Sequence, residues 1–209
     1  MPAPETTRRL ILAGAAIAAA GGVLVWKSLA RRAAVDPAGP GGMRVATELN
    51  DAEPVPEFSL IGPAGPLTRN DLLGRPTVLF FGYTQCPDVC PTTLSMLAEA
   101  FRQLQPAEQP RVLFISVDPQ RDTLELLKAY VPNFNPAFGF ATGPDEALAP
   151  LVKHFGVMYQ RHEKSANGFY TVDHTASLFL LDGKARLKAV FAAPHAAATF
   201  VPEYRRLTR

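Results

Sequence analysis

The feature that most constrains this chain is the position of its two cysteines, Cys86 and Cys90, between two strongly patterned segments. Residues 76–84 (PTVLFFGYT) form a continuous run of apolar, β-branched and aromatic side chains, which predicts a strand buried on both faces. Residues 91–104 (PTTLSMLAEAFRQL) place apolar side chains at helical spacing behind a proline suited to a first helical turn. The sequence therefore predicts a strand, a cysteine loop and a helix in succession.

The cysteine loop predicts thiol chemistry. Thiols at a helix N-terminus face the positive end of the helix dipole, which favours the thiolate, and a thiolate is both a nucleophile and a metal ligand. Because three residues separate Cys86 from Cys90, the loop can close a disulfide or turn both sulfurs toward one metal ion. Two cysteines are too few for a disulfide scaffold. The cysteines alone therefore do not distinguish redox chemistry from metal binding.

A third ligand is expected if the cysteines bind a metal, because two thiolates leave an ion under-coordinated. His174 is best placed to supply it, because it lies at the end of a loop and leads into the next strand. In a thioredoxin-like arrangement, the loop before that strand lies beside the cysteine loop. Asp173 is expected to orient its imidazole. The other histidines are expected to have different roles: His154 lies at a helix C-terminus, His162 is solvated in a charged loop and His195 makes a local structural contact.

The donor set predicted from Cys86, Cys90 and His174 favours copper. Two soft thiolates and an imidazole suit Cu(I), and with a further oxygen ligand they also suit Cu(II). Zinc accepts the same donors, but structural zinc sites normally have four protein ligands, and only three are evident here. The sequence therefore predicts copper as the bound metal, with zinc as the less favoured alternative.

Strand and helix patterns alternate along the rest of the chain. The sequence predicts strands at 111–117 and 138–141, helices at 122–130 and 143–155, a hairpin of strands at 177–181 and 186–191, and a last helix at 196–205. Asp122 and Glu125 stand at capping-box spacing. Residues 157–173 predict an inserted loop with a small hairpin turn at 166–168. The fold class is therefore α/β, a thioredoxin-like, three-layer α/β/α arrangement around a mixed sheet whose antiparallel edge is the hairpin.

The N-terminal residues predict a membrane anchor. Residues 10–26 (LILAGAAIAAAGGVLVW) carry no charge and are about long enough to span a bilayer once, with basic residues on either side. A cleaved signal peptide and a twin-arginine signal are the alternatives. We therefore divide the chain into an N-terminal anchor at 1–32, a flexible tether containing Pro and Gly at 33–53, and a thioredoxin-like copper-binding domain at 54–209.

The charges of the chain bear on its partners and its orientation. The formal net charge is +2 and the basic residues of the folded part are scattered, so no nucleic-acid-binding surface is expected. Lysine and arginine are slightly more numerous on the C-terminal side of the apolar segment, which by itself favours a cytoplasmic location for that side.

Three segments together resemble the Sco (SenC) family of copper chaperones over about residues 54–205: 81–91 (FGYTQCPDVCP), 116–123 (SVDPQRDT) and 173–175 (DHT). The resemblance implies one copper ion bound by Cys86, Cys90 and His174. It also implies a thioredoxin-like domain held on the cell membrane by a single-pass anchor and facing the periplasm or another extracytoplasmic space. We give this family topology more weight than the small charge bias around the apolar segment.

The resemblance also implies partners. Members of the family help to assemble the dinuclear copper site in subunit II of cytochrome c oxidase, with an upstream periplasmic copper donor as a second partner. Some members act instead as thiol–disulfide reductases on that subunit's cysteines. A metallochaperone without enzymatic turnover is therefore the favoured expectation, and a thiol–disulfide oxidoreductase using Cys86 and Cys90 is the alternative. Gln85 departs from the family, because many members have a histidine before the first cysteine.

Overall fold

From the first predicted strand onward, the strands and helices follow one another in the predicted order. The computed structural model describes residues 45–49 and 53–209. Its strands are β1 (Ala46–Glu48), β2 (Ser59–Gly62), β3 (Gly65–Thr68), β4 (Thr77–Gly82), β5 (Arg111–Ser116), β6 (Gly139–Ala141), β7 (Tyr159–Arg161), β8 (Val172–His174), β9 (Leu178–Leu181) and β10 (Leu187–Phe191). Its α-helices are α1 (Val89–Gln103), α2 (Leu124–Tyr130), α3 (Asp145–Phe155) and α4 (Ala197–Thr208), and short 3-10 helices follow β3 and α2.

The central sheet is mixed, as predicted, and has the strand order β1-β10-β9-β4-β5-β6. Strands β4, β5 and β6 pair in parallel, whereas β9 pairs antiparallel with β4 and with β10. All six residues of β4 are buried, because it lies inside the sheet with helices over both faces. The cysteine loop leaves the C-terminal end of this strand and leads directly into α1.

Strand β1 was not expected, because it lies inside the segment 33–53 that predicts a flexible tether. It pairs antiparallel with β10, so the hairpin β9–β10 does not form the edge of the sheet. The side chain of Ala46 is buried, and Glu48 forms ion pairs with Lys188 and Arg206 at 3.0 and 2.9 Å. A three-residue strand has too short a pattern to be recognised in sequence, since its stability comes from a partner far along the chain.

Helices cover both faces of the sheet, which gives the predicted three layers. On one face Phe80 contacts Phe114, and Tyr130 of α2 packs against Phe114 with ring centroids 6.2 Å apart. On the opposite face Phe81 contacts Phe155 of α3 with ring centroids 5.9 Å apart. Successive aromatic residues of one buried strand therefore supply the core on both sides, because side chains alternate along a strand.

The predicted capping box at Asp122 is wrong. Helix α2 begins two residues later, and its N-cap is Thr123, whose hydroxyl accepts a hydrogen bond from the amide of Leu126 at 3.3 Å. Asp122 is instead buried, and its carboxylate accepts hydrogen bonds from Thr84 and Ser116. The last helix also extends three residues beyond its predicted end, to Thr208.

Two small antiparallel pairs stand outside the central sheet. Strands β2 and β3 form a hairpin that was not predicted, and Ile61 exchanges backbone hydrogen bonds with Thr142 beside the edge strand β6. Strands β7 and β8 form the hairpin that the inserted loop 157–173 predicts, with a tight turn over residues 165–168. We call β7, β8 and the connecting residues 162–171 the His hairpin, because its last residue is His174.

The predicted anchor lies outside the described residues, as do residues 33–44 and 50–52 of the predicted tether. Within the residues that the structure describes, no helix combines the length and the hydrophobicity needed to cross a membrane.

Replacing a residue of β1 tests whether this strand belongs to the folded domain. We expect Ala46→Asp to lower the free energy of unfolding by about 1–3 kcal/mol, because it buries a carboxylate without a partner. Thr47→Asp is the matched control, since Thr47 is exposed on the same strand and should change stability by less than about 0.5 kcal/mol. Chemical denaturation followed by circular dichroism measures both. Equal stability of the two variants would show that β1 contributes nothing to the fold.

Candidate metal centre

Three chain segments meet at the C-terminal end of β4 and place two thiols and one imidazole together. Cys86 lies in the loop after β4, Cys90 in the first turn of α1, and His174 at the end of β8. One ligand atom from each of these three residues lies within 4.8 Å of the other two. The structure therefore brings together all three residues that the sequence predicts as metal ligands, although Cys90 and His174 are 84 positions apart and Cys86 lies farther still from His174.

The geometry of the cysteine loop follows from the strand-to-helix connection. The amide of Cys86 lies 3.4 Å from the carbonyl oxygen of Tyr83, which tightens the turn after the strand. The amide of Cys90 then donates a hydrogen bond to the sulfur of Cys86 at 3.4 Å. This amide belongs to the first turn of α1, where backbone N–H groups have no partner within the helix. The start of the helix therefore supplies a hydrogen-bond donor to the Cys86 sulfur.

Gly82, the last residue of β4, makes room for the second sulfur. A Cβ atom on this residue would lie 2.7 Å from the Cys90 sulfur and 2.8 Å from the ring of Phe114. Both distances are shorter than any ordinary contact, so a larger residue here would displace the thiol or the strand. The absence of a side chain at Gly82 lets Cys90 pack directly on the sheet, where it is fully buried.

The imidazole of His174 presents one nitrogen to the thiols and the other to the backbone. Its Nε2 atom lies 3.2 Å from the Cys90 sulfur, and its Nδ1 atom lies 3.1 Å from the carbonyl oxygen of Thr175. Because a carbonyl oxygen can only accept, Nδ1 carries a proton, and in the neutral ring Nε2 then presents its lone pair toward the thiols. The ring stands perpendicular to Tyr83, with centroids 5.8 Å apart. The orientation of the imidazole therefore suits a metal ligand.

The expectation that Asp173 orients this imidazole is wrong. The carboxylate of Asp173 lies 2.8 Å from Nε2 of His162 on the outer side of the hairpin, and it is largely exposed. Neighbouring residues on a strand point to opposite sides, so Asp173 cannot follow His174 inward. The backbone of Thr175 takes the orienting role instead.

The other histidines lie apart from the thiols. His195 Nε2 is 2.8 Å from the carbonyl oxygen of Ala176, which is the local structural contact that the sequence predicts. His154 lies near the end of α3 and is partly buried, and burial lowers its pKa. His162 is half-exposed and is paired with a carboxylate rather than fully solvated.

The two thiols differ in their protonation. The pKa of Cys86 is lowered to about 3, chiefly because the thiol of Cys90 donates a hydrogen bond to its sulfur, although burial opposes the shift. The His174 side chain and the backbone amides of Asp88 and Cys90 lower it further. The pKa of Cys90 is raised, because its proton is engaged by Cys86 and because burial disfavours a second thiolate. At neutral pH the pair is therefore one thiolate and one thiol.

The donor set fits a soft metal ion. Donor atoms bound to one ion at about 2.0–2.3 Å lie roughly 3–4 Å apart, so the three ligand atoms need only a small contraction to share an ion. Both cysteines are free thiols, and thiolates are ligands that Cu(I) prefers. An ion held here would have three protein ligands, which leaves a position open for a ligand from outside the chain.

Sequence reasoning assigned no role to a group of residues beside the thiols. Arg121 contacts Gln85, which precedes the first cysteine, and it also contacts Asp118 and Tyr170. The sequence signal was present, because Asp118 and Arg121 belong to the segment SVDPQRDT at 116–123. Its spacing alone does not show which loops these side chains join.

Comparisons with known proteins agree with this geometry. A family model described as SCO1/SenC matches residues 46–209. The mitochondrial SCO2 homolog of Bos taurus is 33% identical over 156 residues, which cover 72% of this chain and 58% of that protein. The chain spans about six-tenths of the length of the curated relatives that it matches first.

Solved structures show the same fold. The structure of apo Sco1 from Thermus thermophilus matches with a TM-score of 0.70 and 37% identity, over 81% of this chain and 99% of that one. The structure of ScoI from Arabidopsis thaliana with copper bound matches with a TM-score of 0.68 and 30% identity, over 74% of this chain and 99% of that one. The thioredoxin-like arrangement of the described residues is therefore shared with these proteins.

The unequal protonation of the thiols can be tested by pH titration. In the reduced, metal-free protein we expect thiolate ultraviolet absorbance to persist as the pH falls and to disappear only near pH 3, the lowered pKa of Cys86. Cys90→Ala should move this midpoint upward, toward about 8.5, because it removes the strongest hydrogen bond to the thiolate. Cys86→Ala, the matched control, should show no thiolate at neutral pH. An unchanged midpoint in Cys90→Ala would contradict the assignment.

Proposed function

The chain belongs to the SCO1/SenC family, and from that premise we propose that it is a copper metallochaperone. It binds one copper ion through Cys86, Cys90 and His174 and delivers the ion to the dinuclear copper site of cytochrome c oxidase subunit II. The observation that carries the proposal is the convergence of two thiols and an imidazole lone pair within 4.8 Å at the end of β4.

The chemistry of the donors supports copper as the cargo. Two sulfur ligands and one neutral imidazole form a set that Cu(I) accepts with three-fold coordination, and a further oxygen ligand adapts it to Cu(II). Relatives with this fold have been solved with copper bound, among them the ScoI proteins of Arabidopsis thaliana and Bradyrhizobium japonicum. Metal binding requires Cys90 to lose its proton, so the buried thiol becomes a second thiolate only when the ion arrives.

The accessibility of the site supports transfer rather than storage. Cys86 lies at the boundary of the protein surface, with 9% of its area exposed, whereas Cys90 is fully buried. A target thiolate can therefore approach the ion from the side of Cys86 and occupy the open coordination position. Exchange with a target thiolate bound at this position needs no unfolding of the chaperone, because the three ligands lie together at one end of the sheet.

The N-terminal sequence supports a location on a membrane. We propose that residues 1–32 anchor the chain in the cell membrane by a single pass through 10–26, and that the following residues tether the domain on the periplasmic side. This placement would let the domain receive copper from a periplasmic donor and meet a membrane-bound oxidase. The uncharged run of residues 10–26 is the sequence feature that supports it.

Copper titration of the purified, reduced chain tests the proposal. We expect one Cu(I) per chain in the wild type, measured anaerobically against a chromogenic Cu(I) chelator. His174→Ala should weaken binding by at least about 100-fold, because it removes one of three direct ligands, and even residues outside the ligand set typically change metal affinity 10–100-fold.

His162→Ala is the matched control for this titration. It removes an imidazole from the same hairpin, but the His162 ring lies on the outer side, beside Asp173. Its copper affinity should equal that of the wild type. Copper binding by His174→Ala with wild-type affinity would exclude the three-ligand site, and binding of zinc in preference to copper would exclude copper as the cargo.

The unequal thiols also favour a second candidate function, a thiol–disulfide oxidoreductase. The Cys86 thiolate would attack a substrate disulfide, forming a mixed disulfide and releasing one substrate thiolate. Cys90, after losing its proton to Nε2 of His174 at 3.2 Å, would attack Cys86 and release the second thiolate. The substrate gains two electrons, the pair becomes a disulfide, and an external dithiol must reduce it again.

Turnover on a peptide disulfide distinguishes this candidate from the metallochaperone. An oxidoreductase should reduce such a disulfide repeatedly in the presence of a reducing dithiol, and Cys86→Ser should abolish the reaction. We expect the copper-loaded chain to be inactive, because the ion occupies the nucleophile. Stoichiometric copper binding without turnover would leave the metallochaperone as the function.

A further inference from the structure

The His hairpin is held to the domain by side-chain contacts, which include the buried Tyr170 and Val172, rather than by the backbone ladder of the central sheet. Strands β7 and β8 form their own two-stranded sheet and share no backbone ladder with the six-stranded one. His174 is the only predicted ligand on this hairpin, whereas both cysteines lie on the connection from β4 to α1. The distance between the imidazole and the thiols therefore depends on the contacts that attach the His hairpin to the cysteine loop.

A fully buried carboxylate, that of Asp118, is the centre of this attachment. Its Oδ1 atom accepts a hydrogen bond from the hydroxyl of Tyr170, in the His hairpin, at 2.8 Å. Its Oδ2 atom accepts one from Nε of Arg121 at 2.5 Å. The guanidinium of Arg161, in β7, lies 3.4 Å from Oδ1. The carboxylate thus joins the loop after β5 to two residues of the hairpin.

Arg121 extends this attachment to the cysteine loop. Its Nη1 atom donates to the carbonyl oxygen of Tyr170 at 2.7 Å and to the side-chain oxygen of Gln85 at 3.1 Å. Its guanidinium carbon also lies 3.5 Å from the centre of the Tyr170 ring, which is close stacking. Gln85 immediately precedes Cys86. One rigid, planar group therefore touches the hairpin that carries His174 and the loop that carries the thiols.

The other polar contacts of the His hairpin attach it to other parts of the domain. Arg161 binds Asp145 of α3 and the carbonyl oxygen of Val117, so it fixes the base of the hairpin and does not contact the cysteine loop. The hydroxyl of Tyr83 accepts a single hydrogen bond from the amide of Val172 at 3.3 Å. Among the described residues, Arg121 is thus the charged group that links the two halves of the site.

We propose that Arg121 is a positioning residue that holds the His hairpin against the cysteine loop, keeps His174 within ligating distance of the thiols and thereby sets the affinity for copper. The inference rests on the proposed copper site but concerns residues outside the ligand set. Without the guanidinium, the hairpin can move away from the thiols, and each binding event must bring His174 back. Residues that support metal ligands in this way typically change metal affinity 10–100-fold when replaced.

The test uses Arg121→Ala and Arg121→Lys in the purified full-length chain. In Cu(I) titrations against a chromogenic chelator, Arg121→Ala should weaken binding about 10–100-fold. The nitrogen signature of His174 in the Cu(II) electron paramagnetic resonance spectrum should also become weaker or heterogeneous. Arg121→Lys should recover only part of the affinity, because an ammonium group cannot contact Asp118, Tyr170 and Gln85 together in one plane.

A metal-free measurement separates positioning from general stability. In the reduced apo protein, Arg121→Ala should speed amide hydrogen exchange at Val172 and Thr175 while leaving the exchange of β4 and β5 unchanged. Arg206→Ala is the matched control. Arg206 forms ion pairs with Glu48 and Glu203, which belong to neither the cysteine loop nor the His hairpin. It should lower stability without changing copper affinity or the exchange of the hairpin.

Gln85→Ala keeps the inference testable if Arg121→Ala does not fold. Gln85 is exposed, and its replacement breaks only the link between Arg121 and the cysteine loop, so it should weaken copper binding several-fold in a fully stable chain. Wild-type copper affinity in the folded Arg121 variants, or in Gln85→Ala where those do not fold, would overturn the inference. Failure of the wild type to bind copper would instead overturn the proposed function.

Discussion

A carboxylate buried away from water needs cationic and hydrogen-bonding partners. The partners of the buried Asp118 carboxylate hold together the end of the molecule where the thiols lie. Arg121 and Arg161 both approach its oxygens, and the hydroxyl of Tyr170 supplies a further hydrogen bond. A buried ion pair adds little net stability, whereas the loss of one partner costs about 3–5 kcal/mol. The network therefore resists rearrangement. The network specifies one arrangement of three chain segments. A site assembled from separate segments needs a fixed arrangement more than it needs additional stability.

Much of the fold could be predicted, because the buried strands have a continuous apolar pattern and the helices a clear periodic one. The elements from β4 to α4 lie within a few residues of their predicted positions. The exceptions are short elements with too little pattern to recognise. Strand β1 pairs with β10, far away in sequence, whereas β2 and β3 pair with each other and contact a distant segment only through the bridge between Ile61 and Thr142. Asp122 stands at the spacing of a capping box, but its carboxylate is buried and accepts hydrogen bonds from the hydroxyls of Thr84 and Ser116 instead.

The ligand candidates could be found in the sequence because cysteine and histidine are rare here and chemically distinctive. Their surroundings could not. The orientation of His174 depends on the carbonyl oxygen of Thr175, a backbone atom that no residue type reveals. The role of Gly82 depends on how closely Cys90 approaches the strand, which only the packed structure determines. Motif recognition thus identifies which atoms take part, and packing determines how they are held.

The same proton is central to both proposed functions of the site. Cys86 is already a thiolate at neutral pH, because the thiol of Cys90 donates to it, and burial keeps the second proton on Cys90. Copper must displace that proton to gain its second sulfur ligand, and disulfide exchange needs the same proton to leave before Cys90 can attack. In both cases Nε2 of His174 faces the thiol that must change. The two proposed functions therefore make the same demand on the architecture of the site, and they differ in what would react with the thiols, a copper ion or a disulfide.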